Sequence, residues 1–170
     1  MAFEEYDEGY PRAFAQLEAA IHDVLPGVAV EHVGSTSVPG LGGRRVLDVV
    51  ILSRPDHDEK MRAALSTIGF TDFPYAHVLG NVGRLKPMLS GTARLEGGRE
   101  YPVLLYLLPE DHDYVRGWIA WRQYMRQHPE EVERYAEVKR AVIASGQTDP
   151  RSYQQAKTPY LEELAKRLQP

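Results

Sequence analysis

The sequence contains no cysteine, which excludes disulfide frameworks, thiolate zinc sites and cysteine nucleophiles together. Stability is therefore expected from packing alone, and a reducing, cytoplasmic compartment is the default expectation. No apolar run approaches the ~20 residues that cross a bilayer. Residues Met1 to Asp7 carry three acids and no basic n-region, so neither a membrane partner nor a secretory leader is expected. Basic charge is also scarce, since 20 Lys and Arg against 24 Asp and Glu leave a formal net charge of -4. That argues against extended nucleic-acid binding while leaving room for a local basic pocket around a small anion. What is present, 170 residues with 43% hydrophobic and 26% charged, suits a single domain over 1–170 with a real core.

Periodicity sorts the chain into strands first and helices last. Phe14, Leu17, Ile21, Val24 and Leu25 recur at helical spacing after Pro11 and stop at Pro26-Gly27. Val28 to Val33 alternates as a short strand, and Val46 to Leu52 is nearly all apolar, as a central strand would be. Asp56 to Ile68 reads as a helix capped by Asp56 or Asp58 and ended by Gly69. Residues 71–82 look irregular. Arg84 to Leu89, Thr92 to Leu95 and Tyr101 to Leu108 suggest antiparallel strands turned at Ser90-Gly91 and Gly97-Gly98. Helices follow over Tyr114 to Gln127, Pro129 to Ser145 and about Ser152 to Leu168. The class is α+β, with a mixed or antiparallel sheet and a helical C-terminal third.

The stretch "EHVGSTSVPGLGGRRVLDVV", residues 31 to 50, carries the chemistry. Asp48 sits inside an apolar strand, where a bare carboxylate is prohibitively costly to bury, so it must meet water, a cation or a metal. Gly34-Ser35-Thr36-Ser37 follows a strand and is expected to open a short helical turn, whose N–H groups and hydroxyls could take phosphate oxygens. A plain Gly-Ser turn is the competing reading. No Gly-Lys-Ser/Thr or Gly-x-Gly-x-x-Gly follows. One carboxylate beside such a turn can hold a divalent ion against phosphates; the alternative is an ion pair with Arg44, Arg45 or another cation. A second metal acid would stand two residues along the strand, where the chain has Val50. The six histidines lack ligand spacing, and His32, just before the turn, is read as a structural hydrogen-bonding residue.

Together, "EHVGSTSVPGL", "LDVVI", "WRQYMRQHPEEVERYAEVK" and "YQQAKTPYLEEL" resemble the GrpB (UPF0157-like) family of the nucleotidyltransferase superfamily over nearly the whole chain. The resemblance implies a nucleotidyltransferase-like mixed sheet with helices packed behind it. It places Gly34 and Ser35 on a phosphate-side turn and makes Asp48 the catalytic and metal position, for Mg2+ or Mn2+. Ser37, Arg44, Lys86 and Arg122 join Gly34 and Ser35 as candidate binding residues for a nucleotide or other small phosphorylated ligand. Arg126, Tyr135, Lys139, Tyr153 and Lys157 agree with the helical signature, as core or ligand contacts. The implied activity is nucleotidyl transfer from a metal-bound triphosphate. The alternative is a non-catalytic nucleotide- or coenzyme-binding accessory domain, of the kind found fused to dephospho-coenzyme A kinase. The chain departs from the family where Arg44 replaces a common lysine, where Val50 replaces the second metal aspartate, and where Leu104-Leu105-Tyr106-Leu107 replaces "HLHV". Slow or absent turnover is the expectation.

Overall fold

A computed structural model describes residues 2–53, 57–73, 89–147 and 149–168. The elements are α1 (Tyr10–Val24), β1 (Val30–Val33), a single 3-10 turn (Ser35–Ser37), β2 (Leu47–Leu52), α2 (Asp58–Ser66), β3 (Thr71–Asp72), β4 (Leu89–Arg94), β5 (Glu100–Leu108), α3 (Asp113–Gln127), α4 (Pro129–Ala144) and α5 (Pro150–Leu168). The strands form one mixed five-stranded sheet in the order β1-β2-β5-β4-β3. Its β2–β5 pair is parallel, and the other pairs are antiparallel.

Strand alternation gives the sheet two differently covered faces. Leu47, Val49 and Ile51 of β2 and Val103, Leu105 and Leu107 of β5 lie opposite one another in register and pack against α1 and α2. Helix α1 meets them with Tyr10, Ala13, Leu17 and Ile21, one stripe at helical spacing. On the other face, Val33, Val50, Tyr106 and Leu108 pack on Val115 and Trp118 of α3. A third cluster, including Val38, Leu41, Met125, Val132, Tyr135 and Tyr160, joins the segment after the 3-10 turn to α3, α4 and α5. Glu131 binds helices α4 and α5 together by accepting hydrogen bonds from Tyr160 Oη (2.7 Å) and Arg167 Nη1 (2.8 Å). Among the described residues no helix is long and apolar enough to cross a membrane.

The expected boundaries mostly stand within two residues, with three differences. Ser90-Gly91 is not a turn but the interior of β4, and the glycine has a packing reason: a Cβ there would lie 2.7 Å from two ring carbons of Phe70. Thr71 and Asp72, read as irregular, form β3 against β4. Helix α2 starts at Asp58, with no side-chain cap from His57; Asp58 instead accepts a hydrogen bond from Ser53 Oγ (3.2 Å). Asp56, Arg84 to Met88 and hence Lys86 lie outside the described residues.

Phe70 is only 2% exposed and cannot swing into solvent without uncovering the core. Gly91→Ala is therefore expected to cost about 1–3 kcal/mol in urea denaturation. In a Phe70→Leu background the same step is expected to cost less, because the shorter side chain vacates the space the new methyl needs.

Candidate functional site

The register decides what Asp48 meets. It pairs with Val33 on one side and Leu104 on the other, so its side chain emerges on the face covered by the C-terminal helices, together with Val50 and Tyr106. Gly34 lies against it: a Cβ on Gly34 would sit 2.5 Å from Asp48 Oδ2. The Gly34 backbone, at φ 69° and ψ -173°, occupies a region essentially closed to side-chain-bearing residues. Ser35 follows at once, so glycine turn, serine and strand aspartate share one face. Tyr106 Oη donates a long hydrogen bond (3.4 Å) to Asp48 Oδ1.

The surroundings are cationic. Helix α4 buries Val132, Tyr135, Ala136 and Lys139 in one stripe, and α5 buries Tyr153, Lys157, Tyr160 and Leu164 in another. Each stripe thus carries one lysine at a core position, Lys139 at 1% exposed and Lys157 at 8%. Lys139 Nζ donates to the Gly42 carbonyl and lies 4.8 Å from the Tyr135 ring centre. Lys157 Nζ and the Arg44 guanidinium lie 4.4 and 5.1 Å from the centre of the same Tyr153 ring. Ser35 Oγ and Lys139 Nζ converge on Gly43, where an added Cβ would meet them at 3.2 and 3.1 Å. Among the described residues no cation closes to within 4.0 Å of Asp48. Its neighbours act through the field instead: burial raises its pKa, while Arg44, Lys157 and the Tyr106 hydrogen bond pull it back down.

Sequence comparison finds the pattern of the family described as GrpB protein over residues 1–167. The chain belongs to the GrpB family. A UPF0157 protein of Pseudomonas aeruginosa is 31% identical over 154 residues, covering 89% of this chain and 60% of that protein. A UPF0157 protein of Halalkalibacterium halodurans is 27% identical over 165 residues, covering 96% of this chain and 80% of its own length. The chain thus spans less than two thirds of the Pseudomonas relative. The crystal structure of conserved protein GrpB from Enterococcus faecalis matches with a TM-score of 0.73 at 18% identity, over 98% of this chain and 96% of that one, a likeness of fold.

Within this GrpB chain, the candidate residues divide by location. Gly34, Ser35, Arg44 and Asp48 come together, and Lys139 and Lys157 join them. Ser37 does not: its hydroxyl donates to the Gly34 carbonyl (2.6 Å) and its own carbonyl accepts from Arg126. Arg122 is held at the outer edge of β1, where Nη1 donates to Glu31 Oε2 (2.8 Å) and the His32 carbonyl (2.6 Å). Arg45 turns away from its neighbour Arg44 through a positive φ of 59°, toward Glu4 (3.6 Å) and the Tyr101 ring. Among the described residues no group of three or more His, Asp or Glu side chains could hold a metal ion. Lys139 and Lys157, both part of the helical signature, carry a further sequence signal, a cation inside an apolar helical stripe.

Gly34→Ala combines forbidden backbone geometry with a collision, and is expected to lose about 1–3 kcal/mol in denaturant melts. Adding Asp48→Ala is expected to restore only the steric part. Burial, then Arg44, press the Lys157 ammonium down to about 7, partly opposed by Asp48. An unfolded lysine keeps its proton to about 10.5, so between pH 7 and 10.5 the unfolded chain holds a proton that the folded protein has released. Stability therefore rises with pH across that window, and below about 7 the full penalty stands. Urea denaturation from pH 7 to 9 should show a rise in the native protein that is shallower in Lys157→Met, by up to about 1.4 kcal/mol per pH unit.

Proposed function

We propose that the protein binds a small phosphorylated ligand, a nucleotide or coenzyme-like polyanion, in the recess over Asp48, on a nucleotidyltransferase-like fold. The observation that carries this reading is the gathering of basic groups: Arg44 and Lys157 lie on the same Tyr153 ring beside Asp48, and Lys139 stands next to them. Buried cations without counter-charges are costly, and a bound anion removes that cost. Phosphate oxygens would accept from Arg44 and Lys157, with Ser35 Oγ at the rim beside Gly43. Gly34, Ser35, Arg44 and Asp48 are partly exposed, which leaves an approach to the buried lysines.

The residues present do not fit a divalent ion. Asp48 already accepts from Tyr106 and is flanked by Arg44 and Lys157, whose charges repel a metal. Val50 is buried in an apolar cluster and Leu104 packs against it, so neither strand supplies a second acid. Mg2+ or Mn2+ therefore has no step in this reading. One observation favours a second reading, nucleotidyl transfer: the Gly34 backbone abuts the Asp48 carboxylate, as the family resemblance implies for a phosphate-side turn beside a catalytic acid.

Calorimetry separates the two. Adenosine triphosphate without metal is expected to bind, with proton uptake at pH 8 as the anion raises Lys157 back toward its ordinary range. Lys157→Met should weaken binding by about tenfold or more. Asp48→Asn should bind as tightly or more tightly, because it removes a negative charge beside the phosphates. Binding that requires magnesium, is lost in Asp48→Asn and accompanies pyrophosphate release would replace this reading with nucleotidyl transfer.

A further inference from the structure

A cleft lies at the free edge of β1, between α1 and α3. Its volume is about 300 Å³, and Tyr6, Pro11, Phe14, His32, Arg122 and Arg126 are among the residues lining it. His32 pairs with Val49 across β1 and β2, whereas Asp48 pairs with Val33. Directly opposed residues share a face and successive residues alternate, so His32 and Asp48 point in opposite directions. The cleft is therefore separate from the recess over Asp48.

The hydrogen bonds define the chemistry of His32. Thr36 Oγ1 must spend its one proton on the Val46 carbonyl (3.1 Å), which can only accept. Thr36 Oγ1 then accepts from His32 Nε2–H (2.9 Å), leaving a lone pair on Nδ1. Nδ1 has no partner among the described residues, although His32 is only 7% exposed, and the ring lines the cleft with one face stacked on Phe14 at 4.8 Å. Burial, then Arg126 and Arg122, hold its pKa at about 3, so the acceptor stays neutral at physiological pH.

The two guanidiniums supply the opposite character. Arg126 commits Nε (3.0 Å) and Nη2 (2.6 Å) to the Ser37 carbonyl, and Arg122 commits Nη1 to Glu31 and the His32 carbonyl. Arg126 Nη1 and Arg122 Nη2 donate to nothing among the described residues. Glu31 offsets only one of the two positive charges. The cleft thus presents two guanidiniums against the single Glu31 carboxylate that also lines it, one neutral acceptor, and walls of aromatic and prolyl carbon.

We propose that this cleft binds a small 2-hydroxycarboxylate with an apolar body: its carboxylate meets the open edges of Arg122 and Arg126, its hydroxyl donates to His32 Nδ1, and its body lies along Phe14 and Pro11. A simple carboxylate satisfies the arginines but leaves His32 unanswered. The hydroxyl is what the Nδ1 acceptor facing the cleft selects.

Nitrogen-15 spectra of the imidazoles in the native protein, titrated with mandelate, phenylacetate and mandelamide, test this without a substitution at a buried residue. Mandelate is expected to bind saturably and move the His32 Nδ1 resonance while Nε2–H stays protonated. Phenylacetate, without the hydroxyl, and mandelamide, without the charge, should each bind at least about fivefold more weakly. Three results would overturn the assignment: no saturable binding of mandelate, an unmoved Nδ1 resonance at saturation, or equal affinity for phenylacetate. Displacement of mandelate by adenosine triphosphate would also overturn it, since both ligands would then share one site.

Discussion

Positive charge buried between a sheet and two helices is the constraint on which the rest of this structure turns. Lys139 and Lys157 occupy core positions of α4 and α5, where an apolar side chain would pack at no electrostatic cost. Burial depresses both ammoniums, and each lowers its neighbour further or is lowered by Arg44. The acid that acts on Lys157 is Asp48, itself raised by burial. Removing one partner from such a set leaves a buried charge uncompensated, so the three basic groups and the carboxylate depend on one another.

The same geometry explains why the family resemblance and the local chemistry pull apart. Glycine turn and strand aspartate lie side by side, with a Gly34 backbone that leaves no room for a side chain beside the carboxylate. Around them the groups that would complete a metal site are replaced by valine, leucine and tyrosine, and the helices contribute cations. The scaffold is compatible with phosphate recognition without the metal that nucleotidyl transfer would use.

Arg122 and Arg126 show how one helix serves another purpose. Four residues apart on α3, they face the same way and reach the carbonyls of His32 and Ser37. Capping the His32 carbonyl closes the free edge of β1 against further strand pairing. Their remaining donors border a cleft whose walls come from α1 and from the turn that separates it from Asp48.

Local pattern made most of the fold legible. The helical period over residues 11–25 placed Leu17 and Ile21 on the buried face of α1, though Tyr10 and Ala13 complete that face where Phe14 was expected, and the apolar run of β2 buries itself by period alone, because burial of an amphipathic face is decided within a few turns of chain. The odd position of Asp48 was legible for the same reason, as an acid inside an apolar strand. Ser90-Gly91 misled, since a glycine needed for the Phe70 ring looks like a glycine needed for a turn. What only the tertiary structure decided was the company each polar group keeps. Lys157 acts on Asp48 from a helix far along the chain, Lys139 reaches the Gly42 carbonyl, Arg44 and Arg45 part at a single backbone torsion, and Arg122 is drawn to Glu31. Those choices depend on strand register and on helices docking across the sheet, long-range packing that no local window of sequence contains.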